Sequence, residues 1–173
     1  MTSQAGTATA AAALNFSELL DFVETETEQW RAWFRQHPEA LDVKLELAMN
    51  HDVRGVLFHI FFVELRYAER LQEKPESTAD ALPKQSVDEL FDIGARARKQ
   101  FREYMARATD ADWNKTISFQ TLSRGMYSCT KRKSFAHTFL HGMRHWAQLA
   151  TALRERGMKT DWSHDILFAK ALQ

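Results

Sequence analysis

An all-α chain is predicted, a four-helix bundle with a small extended excursion before its last long helix, and three features of the sequence predict it. Apolar residues recur at spacings of three and four over four long stretches, as one buried face of an α-helix requires. Helix-starting and helix-ending residues bracket those stretches. The one region where the apolar period drops to two is short.

The order begins with a tail. Residues 1–13 are Met, Ala, Thr, Ser, Gln and Gly, without the basic start and Leu-rich stretch of a secretion signal, and read as disordered. Residues 14–173 read as a single domain, with no internal repeat or linker. The first helix runs from about Ser17 to Gln36, capped by Ser17 and ended by His37-Pro38. Leu20, Val23, Thr27, Trp30 and Phe34 share its face. The aromatic stripe Trp30, Trp33 and Phe34 reads as core or dimer interface. Glu39–Asn50 alternates at Leu41, Val43, Leu45 and Leu47, which gives it an extended bias, and it is also compatible with a helical turn. A second helix spans about Asp52 to Gln72 and is apolar on much of its surface, which suits a central position. Pro75 and Pro83 mark Glu73–Gln85 as a loop. Ser86-Val-Asp-Glu89 is a capping box opening a third helix that reaches about Ala108. Thr109–Asp112 reads as a turn. Trp113–Thr130 alternates at Ile117, Phe119 and Thr121 and reads as a hairpin turning at Arg124-Gly125. The fourth helix runs from about Ser134 to Arg156, with Gly157 after it. A short helix from Ser163 closes the chain.

Composition excludes several functions. With 45% apolar residues, 12 Phe and 5 Trp, the chain has material for a large core. Lys plus Arg number 23 and so do Asp plus Glu, which gives no global pull toward nucleic acid or an anionic membrane. The run Lys131-Arg132-Lys133 reads as a solvated helix start. The single cysteine, Cys129, permits no intrachain disulfide, fits a reducing cytoplasm, and reads as a bystander thiol. No apolar run approaches the roughly 18–20 residues that span a bilayer. Gly-rich phosphate loops, nucleophile elbows, paired-Cys zinc sites and Glu-x-x-His di-iron motifs are missing from the sequence.

One constellation carries chemistry. His137, His141 and His145 stand at i, i+4 and i+8, on one helix face. At this histidine content such a triplet arises by chance on the order of once in a hundred sequences. Two imidazoles four residues apart can close on one ion at about 2.0–2.1 Å from each nitrogen. A further ligand must come from another helix. His59 is the candidate, because it sits mid-helix on an otherwise apolar face, where a polar ring needs a partner. Glu64 lies at the edge of that face, as an acceptor for a ligand imidazole or a plain ion pair. Gln148 lies one turn beyond His145, to bond near the site or to pack. His137 is a pocket or supporting residue, and His51, eight residues before His59, reaches the mouth of the site or lies on the surface. Arg144 points elsewhere and reads as a surface salt bridge.

These residues resemble a known family. Leu57-Phe58-His59-Ile60 and Glu64, then His137-x3-His141-x3-His145-x2-Gln148 and Leu153-Arg154-x2-Gly157, look like the DinB/YfiT-like family from about Leu19 to Gly157. Where the family has His-Arg-Gly-Gln this chain has His145-Trp146-Ala147-Gln148, so Trp146 bears on helix packing or the pocket rim. The resemblance implies a helical bundle with a divalent ion on His59, His141 and His145, His137 being the motif's leading histidine and not a direct ligand. Zinc is the first choice, with nickel, iron or manganese also suited to imidazole. It further implies a cytoplasmic metalloenzyme acting on a small-molecule substrate, a thiol S-transferase using a low-molecular-weight thiol or a hydrolase, and a homodimer. Two other readings stand beside it. One is a non-enzymatic, stress-associated metal-binding bundle that self-associates. The other has no metal, its histidines forming a polar seam bonded to Glu64 and Gln148.

Overall fold

Four long helices carry the chain in the computed structural model, which describes residues 14–45, 51–121 and 125–169. They are α1 (Phe16–Gln36), α2 (Val53–Leu71), α3 (Val87–Met105) and, after a short α4 (Asp110–Asn114), α5 (Lys131–Glu155). Between α4 and α5 lies the expected hairpin, β1 (Thr116–Thr121) and β2 (Gly125–Thr130), antiparallel with Thr116 opposite Thr130. The expectations for the tail at 1–13, for Leu47 and for Arg124 fall outside the described residues. No helix among the described residues is long and apolar enough to cross a membrane.

Local chemistry explains the boundaries, and four differ from expectation. Asn15, not Ser17, caps α1: its side chain accepts from Ser17 N and Glu18 N while Glu18 reaches back to Asn15 N. Thr109–Asp112, expected as a turn, is the cap and first turn of α4, because Thr109 and Asp112 make a reciprocal capping box. The segment after α1 takes the helical-turn alternative, as a 3-10 turn over Pro38–Asp42, and its extended character among the described residues is one bridge, Lys44 with Asp52. Instead of a helix from Ser163, the C-terminal segment makes a 3-10 turn at Ile166–Phe168.

The fourth correction concerns α5, which starts three residues early, capped by Thr130. That places Lys131 inside the protein, only 3% exposed, with its ammonium donating to Leu71 O (2.7 Å) and Glu73 Oε1 (2.9 Å). Lys131 is therefore not part of a solvated start, although Arg132 and Lys133 are exposed. The end of α2 leaves its last carbonyls without partners inside the helix, and Lys131 answers one of them, Leu71 O.

The helices pack in a closed cycle: α2 lies against α3 and α5, and α1 lies against the same two. Trp30, Trp33 and Phe34 are all buried, which makes the aromatic stripe core. Trp146 lies flat on Trp30, with centroids 5.3 Å apart, and Phe61 and Phe91 complete the cluster. Gly94 sets how closely α2 and α3 approach, since a Cβ there would fall 2.4 Å from Phe61 Cδ1. Contacts along the α2–α5 seam run in opposite order: His59 meets His141 and His145, Tyr67 meets His137, and Leu71 meets Lys131. The two helices are antiparallel, and the seam places the histidines near their middle.

Candidate metal centre

α2 presents His59 and α5 presents His141 and His145, two successive turns of one face. His141 Nε2 lies 3.2 Å from His59 Nε2 and 3.2 Å from His145 Nε2. One nitrogen of each ring falls within 4.8 Å of the others, all three half-buried. An imidazole nitrogen has one in-plane proton or one lone pair. His141 Nε2 can therefore satisfy only one of its two neighbours by hydrogen bonding, whereas three lone pairs aimed at a shared cation satisfy all. The spacing also fits, because ligands about 2.0–2.1 Å from a tetrahedral ion stand roughly 3.3 Å from one another.

The protonation states suit the same use. Burial pushes His59 down to about 4, with help from the charges of His145 and Arg144. Burial, then His145, His59, His137 and Arg144, pushes His141 down to about 3. His145 is lowered by burial and by Arg144, against the opposing effect of its hydrogen bond to Gln148. All three are free bases at neutral pH, the form that binds a metal. His145 Nδ1 donates to Gln148 Oε1 (2.8 Å), which leaves its Nε2 lone pair facing the cluster.

The other candidates divide. Glu64 reaches none of the histidines. It is 4% exposed and pairs with Arg98, whose NH1 donates to Glu64 Oε2 (3.1 Å). The ion-pair alternative thus describes it, and the polar seam through Glu64 does not form. His137 packs against Tyr67 (5.3 Å) and His141 (5.5 Å), outside the trio. His51 is exposed, lines neither of the cavities beside α5, and lies outside α2, before its N-cap Asp52. Arg144 makes no ion pair among the described residues, and its charge instead lowers the pKa of the nearby histidines.

Two cavities flank α5. A larger one, about 450 Å³, lies in the α2–α5 seam and under the hairpin, and His141 and His137 line it beside Tyr67, Phe119 and Cys129. A smaller one, about 170 Å³, lies between α1 and α5, floored by Glu64 and rimmed by Glu26 and His164. Cys129, in the wall of the larger, has its thiol pushed up by burial and is not a ready nucleophile.

A family model, the DinB family, matches residues 7–171 of the chain's sequence. The chain belongs to the DinB family. No curated protein matches it significantly. Within this DinB chain the three-histidine group is the one set of His, Cys, Asp or Glu side chains among the described residues whose donor atoms could hold an ion. Sequence reasoning missed Arg98, although its spacing of four from Gly94 and three from Phe101 set a charge on the buried face of α3. It also missed the basic lining of the larger cavity, which depends on how the hairpin folds over the seam.

Proposed function

We propose that this DinB chain is a zinc-dependent thiol S-transferase whose substrates meet in the larger cavity. The observation that carries this reading is that His141 belongs both to the histidine group and to the wall of that cavity. An ion on His59, His141 and His145 would supply Lewis acidity that lowers the pKa of a thiol or water beside it. Three protein donors leave such a site open, as catalytic sites are and sealed structural sites are not.

The chain's own residues supply the rest. Tyr67, Phe119 and Tyr127 offer apolar walls that exclude water from the reacting atoms. His137 is lowered by burial and by Arg144, so it is a free base at neutral pH and can take the thiol proton. The thiol sulfur bonds to an electrophilic carbon, and the leaving group departs with the bonding pair. No carboxylate lines the cavity among the described residues, so an acid–base pair of carboxylates is not on hand for hydrolysis. His137 could nevertheless serve a water as it serves a thiol, and hydrolysis is the second reading. The DinB-type four-helix bundle is the arrangement we infer for the packed helices. Homodimerisation would use exposed apolar side chains of α5, Leu140 and Met143. A cytoplasmic location belongs to the same reading, and a chain with one cysteine and no intrachain disulfide fits it.

Elemental analysis of tag-free protein tests the foundation: about one equivalent of zinc is expected, and none in a His141→Ala/His145→Ala variant. The zinc-loaded protein should then join a small thiol to an activated aryl halide faster than the variant does. Ester cleavage without thiol, and no thiol transfer, would move the reading to hydrolase. A chain that takes up no metal at neutral pH overturns both.

A further inference from the structure

The larger cavity has an electrostatic direction along its length. Its lining includes Arg66, Arg70 and Lys133 and no acid among the described residues. Both arginines share one carboxylate outside that lining, Glu76: Arg70 Nε and NH2 donate to it (2.8 and 2.9 Å), and so does Arg66 Nε (2.5 Å). Arg70 is further fixed over the Phe119 ring (4.1 Å) and the Tyr67 ring (4.8 Å). One carboxylate against two guanidinium groups leaves a positive charge uncompensated, and Lys133 adds another, its ammonium having the Tyr127 hydroxyl as its one hydrogen-bond partner among the described residues (3.0 Å). Beside Lys133 lies Ser134, 1% exposed, whose hydroxyl has no hydrogen-bond partner among the described residues. A buried hydroxyl without a partner costs stability, and this one belongs to a residue that lines the cavity, where an arriving group would supply the partner.

The helices fix the distance from this end to the histidines. Ser134 precedes His141 by seven residues on α5, and Arg66 follows His59 by seven on α2, about 10 Å in each case at 1.5 Å per residue. Because the helices are antiparallel, both intervals run the same way along the cavity. We infer that the cavity selects an elongated substrate carrying an oxyanion, a carboxylate or a phosphate, held by Arg66, Arg70, Lys133 and the Ser134 hydroxyl about 10 Å from its reacting end at His141. The inference rests on the proposed site for the reacting end, but the anion end stands on its own residues.

Calorimetry on the full zinc-loaded chain tests it with probes of fixed reach. 8-Mercaptooctanoate should bind about tenfold or more tightly than 8-mercaptooctan-1-ol, as an added charge-assisted hydrogen bond predicts, and more tightly than 3-mercaptopropionate, which is too short to reach both ends. Lys133→Met, at an exposed position, should remove most of the preference for the carboxylate. Ser134→Ala should weaken the carboxylate probe without lowering the melting temperature, an outcome a merely structural serine would not give. Octanoate and octyl phosphate, which lack sulfur, identify the anion by which of them binds in a Lys133-dependent way. If they bind so and the thiol adds nothing, the anion end stands and the thiol reading fails. Equal affinity for the acid and the alcohol, in wild type and both variants, overturns the inference while leaving the histidine site untouched.

Discussion

Two of the polar clusters among the packed helices meet the cost of desolvation in opposite ways. Glu64 and Arg98 are charges buried as a pair, 4% and 1% exposed. The histidine trio is half-buried, neutral, and turned on itself at 3.2 Å. The first cluster answers charge with charge and ties α2 to α3. The second is unsatisfied as a set of rings and acquires a purpose only with a cation between them. A charge pair belongs to the folded body; a converging set of lone pairs belongs to a site.

Breaking each cluster should therefore have unequal effects on stability. Arg98→Leu strands the Glu64 carboxylate in the core and should cost about 3–5 kcal/mol. Replacing both partners, Glu64→Leu with Arg98→Met, should recover most of that loss, because the cost lies in the unpaired charge. Urea denaturation of chelator-treated protein measures both. His59→Leu in the same protein should be neutral or stabilising, and a loss as large as that of Arg98→Leu would erase the distinction between the clusters.

How far the sequence announced each cluster follows from the same difference. The histidines were legible because i, i+4, i+8 spacing is a local property of one helix, and His59 stood out as a polar ring on an apolar face. Glu64 was visible, but its partner was not, since Arg98 sits among Arg96, Lys99 and Arg102 on a strongly charged helix. Which of those four turns inward depends on how α3 rotates against α2, and the close approach at Gly94 sets that. Lys131 was misjudged for a related reason: its partner, Leu71 O, lies 60 positions away on α2. The long helices and the hairpin came through because their periods are written in consecutive residues, while α4 and the turn at Ile166–Phe168 are too short for a period and rest on the caps of Thr109 and Asp165.

The supporting shell gives the next largest effect. Gln148 accepts from His145 Nδ1 at 2.8 Å. Gln148→Ala releases that ring and should lower zinc affinity by about 10–100-fold. It should leave the metal-free stability within about 0.5 kcal/mol, since the residue is exposed. A competition titration with a colorimetric chelator reads the affinity. An unchanged affinity would mean that packing alone orients His145.

The clusters also oppose each other in pH, once metal is removed. The histidines have folded pKa values below their ordinary 6.5, at about 4 for His59 and about 3 for His141. Below 6.5 the unfolded chain binds more protons, so their contribution is lost as pH falls. Glu64 goes the other way, since burial, partly offset by Arg98, raises it from 4.5 to about 7. Between those values the folded chain holds the extra proton, so its contribution to stability declines as pH rises. Melting curves between pH 4.5 and 6.5 should therefore rise more steeply with pH in Glu64→Gln than in wild type. They should flatten or reverse in His59→Leu/His141→Leu. Parallel slopes in all three proteins would show that neither cluster is desolvated as the geometry implies.

The smallest expected effect lies where the clusters come nearest to each other. Gly142 follows His141 on α5 and passes over Glu64, and a Cβ built there would meet Glu64 Oε1 at 3.8 Å, an ordinary contact. Nothing in that position needs glycine's left-handed freedom, since it lies within a regular helix. Gly142→Ala should stabilise the metal-free protein by about 0.4–1 kcal/mol, through reduced freedom of the unfolded chain. Gly94→Ala is the control, because its Cβ would lie 2.4 Å from Phe61 Cδ1 and force the ring to move. The added methyl at Gly142 also enters the wall of the smaller cavity, not the larger. Zinc affinity and binding of 8-mercaptooctanoate should therefore stay at wild-type levels. If the methyl weakens either, the two clusters are coupled through the carboxylate beneath α5, and their separation into a folding pair and a functional trio would have to be given up.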